Sequence, residues 1–414
     1  MSRVLIIAVG SRGDVAPLTG VGVALQSAGH EVAIAAYSPF RDMISDCGLR
    51  FHDLPVDPQD AAEGGEASPA KELAAFVSPK GMRALGNRIL SVVGDEPADI
   101  MLLSPFAEMA GHPLSEAKAI PSLGVRLQPL SATAQYPPSI MGAWSAGAFA
   151  NRSAANTGTW LVDRLYGGVV ADFRQQLGLP RMSARNLRRQ RTAAQWPVVH
   201  GFSPLVAPRP PDWRPGLEVT GYWWPAGTGA WEPPAELTDF LAAGRPPVFV
   251  GFGSMMTNPT HAERLSDIIR RAARLAGVRI IVQTGWANLH VSDDHMLTIG
   301  EAPHDWLFSR VAAVAHHCGA GTTAAGIRAG VPIIALPAYG DGPFWARRVT
   351  ALGICAKTIN QRKLTPESFA EAMRIAVGDE RLRANARRIS AEICTEDGAT
   401  KVVSLVEDVV RQSA

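Results

Sequence analysis

Short apolar runs recur along the chain, and each ends in a glycine-rich turn that leads into a stretch of helical period. Arg3 to Val9 (RVLIIAV) is the first, followed by the turn Gly10 to Asp14. A helix is then expected from Pro17, with Leu18, Val21, Leu25 and Ala28 on one face and Gly29 as its stop. Glu31 to Ala36 is the second strand. Runs that are apolar on both faces belong in a parallel sheet covered by helices on either side. Ala98 to Pro105 and Pro121 to Leu127 continue the series, the second entered from a helix over Gly111 to Ile120. Thr157 to Leu177 carries Leu161, Leu165, Val169, Phe173 and Leu177 at helical spacing, and Ala194 to Phe202 closes this half as its last strand.

The pattern then breaks. Pro204 to Pro234 is rich in proline and tryptophan and reads as a stiff connector rather than an element. Beyond it the strand–helix series resumes with Pro247 to Gly251, a turn from Phe252 to Met255, and a helix capped by Asn258 with Pro259 at its first position. Arg279 to Thr284, Met296 to Gly300, Val311 to Ala315 and Val331 to Leu336 are the next strands. Thr365 to Asn385 and Ala399 to Arg411 are expected as helices. The division is therefore an N-terminal domain over 1–203, a linker over 204–234, a C-terminal domain over 235–395 and a closing helix over 396–414. Both domains read as doubly wound α/β units.

Composition narrows the partners. With 47% apolar and 19% charged residues in 414, the chain is that of a soluble protein with large cores, too long for one typical domain. A formal net charge of +2 leaves no electrostatic footprint for nucleic acid. The basic cluster Arg185, Arg188, Arg189 and Arg191 reads as a solvated helix face. No run is long enough for stable membrane insertion, and MSRVLIIAVG reads as a strand rather than a leader, so a cytoplasmic protein is expected. Cys47, Cys318, Cys355 and Cys394 are too scattered for a metal pair and are expected as free thiols. The acidic stretch from Asp53 to Ala74 reads as a surface loop.

Chemistry concentrates in VAHHCGAGTTAAGIRAGVPIIALPAYGDGPFW, from Val314 to Trp345. Here a strand, a glycine-rich turn, a short helix over Ala324 to Ala329 and a second strand follow one another. The first N–H groups of such a helix lack partners and carry partial positive charge, which suits a phosphate or diphosphate. Asp341, past the next strand, rises at the same sheet edge, where a carboxylate is placed for sugar hydroxyls. Asp14 occupies the corresponding edge after the first strand. It is open to two readings there, a helix cap or a base that takes a hydroxyl proton. The dinucleotide fingerprint fails at that turn, because Arg12 stands where a glycine is required and no acidic residue ends the second strand.

The block His316–Trp345 resembles the donor-binding signature of the family 1 glycosyltransferases, nearest in wording to bacterial natural-product and sterol-type enzymes (HHGGAGTT…RAGVP…GDQPFW). The GSRGD turn and PHDWLF segment are similar too. The resemblance implies the GT-B fold, two Rossmann-like α/β domains facing a cleft, and an inverting transfer of a sugar from a UDP- or dTDP-activated donor to a hydroxyl of a hydrophobic small molecule. It implies contacts to the donor diphosphate from Ser11, Gly253, Ser254, His317, Gly319, Ala320, Gly321 and Thr322. Trp286, Pro303 and His304 would hold the base, with Trp306 open to packing or base contact. Asp341 and Gly342 would face the donor sugar, and Gln128, Tyr136, Met141 and Trp144 the acceptor. Asp14 would be the catalytic base. Gly342 departs from the family's glutamine, which leaves the sugar open. No cofactor and no metal are expected, and the chain would act as a monomer or homodimer. The alternatives are a non-catalytic nucleotide-sugar-binding relative, an epimerase and a nicotinamide oxidoreductase.

Overall fold

The computed structural model describes residues 1–55, 74–227, 231–253 and 258–413. Ser254, and the acidic stretch from 56 to 73, lie outside them.

The first lobe is built on seven parallel strands: β1 (Arg3–Ile7), β2 (Glu31–Tyr37), β3 (Arg50–Leu54), β4 (Ile100–Leu103), β5 (Ser122–Arg126), β6 (Val198–His200) and β7 (Leu217–Val219), in the order β3-β2-β1-β4-β5-β6-β7. Helices α1 (Arg12–Ser27), α2 (Pro79–Val93), α3 (Glu108–Lys118) and α4 (Ala148–Gln176) cover it. The second lobe has β8 (Val248–Gly251), β9 (Ile280–Gln283), β10 (Met296–Ile299), β11 (Ala313–His316), β12 (Ile333–Ala335) and β13 (Cys355–Thr358), ordered β10-β9-β8-β11-β12-β13 and again all parallel. Its helices include α5 (Pro259–Ala276), α6 (Ala320–Arg328), α7 (Gly342–Ala351), α8 (Pro366–Gly378), α9 (Glu380–Ile393) and α10 (Gly398–Ser413). This is the GT-B architecture of two Rossmann-like domains.

The buried strands were the legible ones: Leu5, Ile6, Ile7, Val248 and Phe249 are all but inaccessible to solvent. Several expectations need correction. Helix α1 starts at Arg12, well before Pro17, because Ser11 takes the extended N-cap conformation and the Asp14 carboxylate accepts its N–H. Pro17 is absorbed inside the helix. The stretch read as a linker contains β7, which pairs with β6 and extends the first sheet, so Ala194 to Phe202 is not that lobe's last strand. The long helix expected over Thr365 to Asn385 is two helices. The chain leaves the helical region at Asp379 (ψ 105), whose carboxylate then caps α9 by accepting the Leu382 N–H at 3.0 Å. Strands β3 and β13 carry no apolar signature, because RFHDL and CAKT lie at sheet edges and are mostly only half-buried.

Helix α10 crosses back: Val402, Val403 and Val406 share one core with Val4, Ile6, Leu18 and Val21 of the first lobe. A second core joins the lobes directly, with Tyr136, Phe202 and Trp213 packed among Ile327, Phe344 and Trp345.

Gly86 shows how tightly the first lobe is filled. A methyl placed there would fall 2.0 Å from the ring of Phe173, which is wholly buried. Gly86→Ala should therefore overpack the α2–α4 contact and lower stability by about 1–3 kcal/mol, read as a drop in the urea midpoint at unchanged slope.

Candidate active site

In each sheet the strand order reverses at the middle, between β1 and β4 in the first lobe and between β8 and β11 in the second. At such a switch point the helices diverge to opposite faces and leave a crevice at the carboxyl ends of the strands. The segments singled out by sequence emerge at these edges: Gly10–Asp14 after β1, Gln128 past β5, Gly253 after β8, and His317–Thr322 after β11. The two lobes present their crevices to each other. Gly13 in the first turn of α1 and Gly321 in the first turn of α6 stand face to face, a methyl on Gly321 lying only 4.0 Å from Gly13 Cα. Two helix N-termini, each with unpaired N–H groups, thus approach one gap.

Asp14 does both things the sequence left open. Its Oδ2 accepts the Ser11 N–H at 2.8 Å and the Ser11 hydroxyl at 3.0 Å, closing the first turn of α1. Its carboxylate also lies against Gly10, where a methyl would fall 2.4 Å from Oδ2, so that glycine (φ +148) is required by close approach as well as by conformation. Burial pushes the Asp14 carboxyl above its usual range, opposed by the Ser11 hydrogen bonds and by Gln128.

Across the gap, β11 ends at His316, which is wholly buried and accepts the Cys318 N–H on Nδ1 at 3.0 Å. That bond turns the chain through Cys318, held at φ +64 in the left-handed region that favours glycine. Helix α6 then begins at Ala320 with Gly319 as N-cap, earlier than the helical residues legible in sequence. Ala320, Gly321 and Thr322 are therefore its first turn. The His317 ring fits between two glycines: a methyl on Gly319 would lie 2.5 Å from its Nε2, and one on Gly253 3.1 Å from its Cε1. Burial lowers His317 to about 4, so the imidazole is neutral at physiological pH, and its Nδ1 is buried without a partner.

Asp341 stands at the start of α7. Its Oδ2 accepts the Trp345 indole N–H at 2.7 Å, a bond one helical turn along the motif. Burial raises its carboxyl, and the nearby Asp14 charge adds to this. Gly342 is closed to side chains, since a methyl there would meet the His317 carbonyl oxygen at 2.7 Å. Of the residues expected near a base, Trp286 is 53% exposed beside Gly253, donating its N–H to the Gly253 carbonyl at 3.1 Å. Pro303 caps the short helix His304–Phe308, and the His304 ring stacks on Phe308 at 4.4 Å. Burial and the Arg12 charge bring His304 down to about 4. Trp306 packs edge-on against Trp231 and under Arg310.

The expected acceptor residues divide. Tyr136 is buried against Phe344 of the other lobe, with ring centroids 5.1 Å apart. With Trp144, Arg347 and Arg348 it lines a cavity of about 370 Å³ beside α7. Met141 and Trp144 are each 42% exposed, and Met141 lies over Gly158 of α4. Gln128 is placed elsewhere, between Asp14 and Asp341.

Residues 4–137 match the family described as Glycosyltransferase family 28 N-terminal domain, and residues 280–409 match Erythromycin biosynthesis protein CIII-like, C-terminal domain. O-mycaminosyltylonolide 6-deoxyallosyltransferase of Streptomyces fradiae is 32% identical over 98% of this chain and 97% of its own. The chain belongs to the GT-B glycosyltransferases. The glycosyltransferase is also 30% identical to the sterol 3-beta-glucosyltransferase UGT80A2 of Arabidopsis thaliana over 97% of its length, though it spans only 64% of that enzyme, and 27% of the Neurospora crassa sterol 3-beta-glucosyltransferase. Among solved structures, the fold is shared with glycosyltransferase VinC in complex with dTDP (TM-score 0.66, 18% identity, covering 99% of this chain and 100% of that one). It is shared also with SsfS6 of Streptomyces sp. SF2575 complexed with thymidine diphosphate (TM-score 0.60, 21% identity, 99% and 100% covered).

Two features of this glycosyltransferase were not read from the sequence. One is the ion pair Arg12–Glu301, 2.9 Å across the cleft; both groups are well exposed, so it contributes little to stability. The other is Trp345 as the partner of Asp341, which the spacing of four along a helix would have revealed. Among the described residues no helix is long and apolar enough to cross a membrane.

Proposed function

We propose that the enzyme transfers a sugar, with inversion, from a UDP- or dTDP-activated donor to a hydroxyl of a hydrophobic small-molecule acceptor of the macrolide, polyketide or sterol kind. The supporting observation is the pairing across one cleft of the α6 N-terminus, beside His317, with the Asp14 carboxylate of the other lobe. The donor diphosphate is held by the N–H groups of Gly319 to Thr322 and by the neutral imidazole of His317. Trp286, Pro303 and His304 border the base, and Asp341 takes hydroxyls of the sugar. Asp14 removes the acceptor hydroxyl proton while that oxygen bonds to the anomeric carbon. The bond from the anomeric carbon to the diphosphate oxygen breaks with its electron pair going to the diphosphate. The leaving charge meets donors already oriented toward it, which is electrostatic stabilisation without reorganisation. The relatives named for macrolide and sterol acceptors support the acceptor class.

Thermal shift with a panel of nucleotide sugars tests the reading, since a ligand that binds only the folded state raises Tm. UDP- or dTDP-sugars should stabilise the protein; a panel without effect overturns the assignment. Transfer should proceed in a chelator, because backbone donors and His317 meet the diphosphate charge. Loss restored by added divalent metal would refute that. The pH profile should also be distinctive. Asp14 must be ionised to accept a proton and its pKa lies above the ordinary 3.8, so kcat/KM should fall on acidification with a midpoint above that value.

A further inference from the structure

Two carboxylates from opposite lobes meet at one amide. Gln128 lies just past the carboxyl end of β5, and its side chain bonds both Asp14 and Asp341. Each carboxylate has one oxygen committed on its own lobe. Asp14 Oδ2 takes the Ser11 N–H and hydroxyl, and Asp341 Oδ2 takes the Trp345 indole at 2.7 Å. An amide NH2 has two donors and an adjacent acceptor oxygen, so a single glutamine can serve two carboxylates and still offer an acceptor. Nothing but a hydroxyl-bearing group has the same complement, one donor and acceptors at each of neighbouring positions. The space Gln128 spans is therefore suited to a polyol.

The residue next to Asp341 cannot supply such an amide. Any Cβ at Gly342 would press on the His317 carbonyl at 2.7 Å and touch Pro337 at 3.7 Å, so a side chain there demands movement of the main chain that forms the diphosphate turn.

We propose that Gln128, contributed by the N-terminal lobe, reads the hydroxyls of the transferred sugar between Asp14 and Asp341, and so sets donor-sugar specificity from across the cleft. This deepens the reading of a nucleotide-sugar donor and rests on it. It also differs from the acceptor contact that sequence resemblance implies for Gln128. Because the amide bonds to carboxylates of both lobes, it is positioned to sense the sugar only when the lobes are together.

Calorimetric binding of UDP, dTDP, UDP-glucose and dTDP-glucose to the full chain, with donor KM and kcat, separates the roles. Gln128→Ala should weaken the preferred nucleotide sugar about tenfold, the worth of a hydrogen bond to a charged or polar partner, while the matching nucleoside diphosphate binds within about twofold of wild type. Gln128→Glu keeps the shape but sets a third carboxylate between two others, and should weaken sugar-nucleotide binding further, again sparing the diphosphate. Equal loss for sugar nucleotide and diphosphate would show that Gln128 only holds the lobes together, and would overturn the proposal. Unchanged donor binding with a raised acceptor KM would overturn it as well. If the wild type binds none of the four nucleotides, the donor reading itself fails, and the variants are not needed to see it.

Discussion

Asp14→Asn should lower the rate of transfer by about 10²–10⁴-fold while leaving the protein at least as stable as wild type. The loss follows from the proposed role: an amide cannot accept the acceptor's proton, and positioned base catalysis accounts for that range. The stability follows from the sign of the Asp14 shift. Burial raises its pKa in the folded state, so the folded protein binds more protons than the unfolded chain between the ordinary 3.8 and the raised value. Stability therefore falls as pH rises through that window, and at neutral pH the whole cost of ionising the group is present. An asparagine carries no such charge. Its Oδ1 can still accept the Ser11 N–H that Asp14 accepts at 2.8 Å, so the α1 cap survives. Rate assays at saturating donor, with Tm measured at pH 7.5, check both halves. Full activity in Asp14→Asn would remove the base from the mechanism; a large drop in Tm would mean that the carboxylate is chiefly structural. Such a trade between activity and stability is the usual sign of a charged group kept for function.

How much of this was legible before the structure depends on burial. Strands β1, β8 and β11 lie in the middle of their sheets and are apolar on both faces, so their composition alone marks them. Edge strands β3 and β13 are only partly covered and carry residues such as Arg50, Asp53 and Lys357, which erases the signal. Strand β7 was hidden for another reason. It is short, set among prolines and tryptophans, and its membership in the sheet depends on pairing with β6, which no local pattern encodes. The site divides likewise. His317, Gly319 and Asp341 sit in one continuous motif and could be read from it. The approach of Gln128 to Asp14 and Asp341, the ion pair Arg12–Glu301 and the seating of Tyr136 on Phe344 all join segments distant in sequence. They exist only once the lobes are brought together. Cys318 is a local feature that was passed over: its φ of +64 belongs to a turn in which the resembling signature has glycine.

The glycine after that cysteine carries the second large effect. Gly319→Ala should reduce kcat/KM about 100-fold, and the same change should cost almost nothing in a protein that already lacks the His317 ring. The added methyl would sit 2.5 Å from His317 Nε2 and 3.3 Å from Cε1. The ring has little room to retreat, because Gly253 packs on its other side at a spacing that leaves only 3.1 Å for a methyl. It must swing away from the diphosphate, and a displacement of about 1 Å at a positioned group is enough for a loss of that order. His317→Ala removes the same donor directly and should cost about 10²-fold, the range seen when one oriented donor to a developing anion is deleted. If both changes act through the imidazole, the double variant should match His317→Ala within about threefold, a strongly non-additive cycle. The competing possibility is that the methyl blocks the α6 N-terminus itself, keeping the diphosphate from the N–H groups of Ala320 and Gly321. Gly319→Ala would then cost its full factor with or without the ring, and the cycle would be additive. Measuring kcat/KM for the four proteins with one donor therefore decides whether the imidazole or the helix terminus is the element that Gly319 protects.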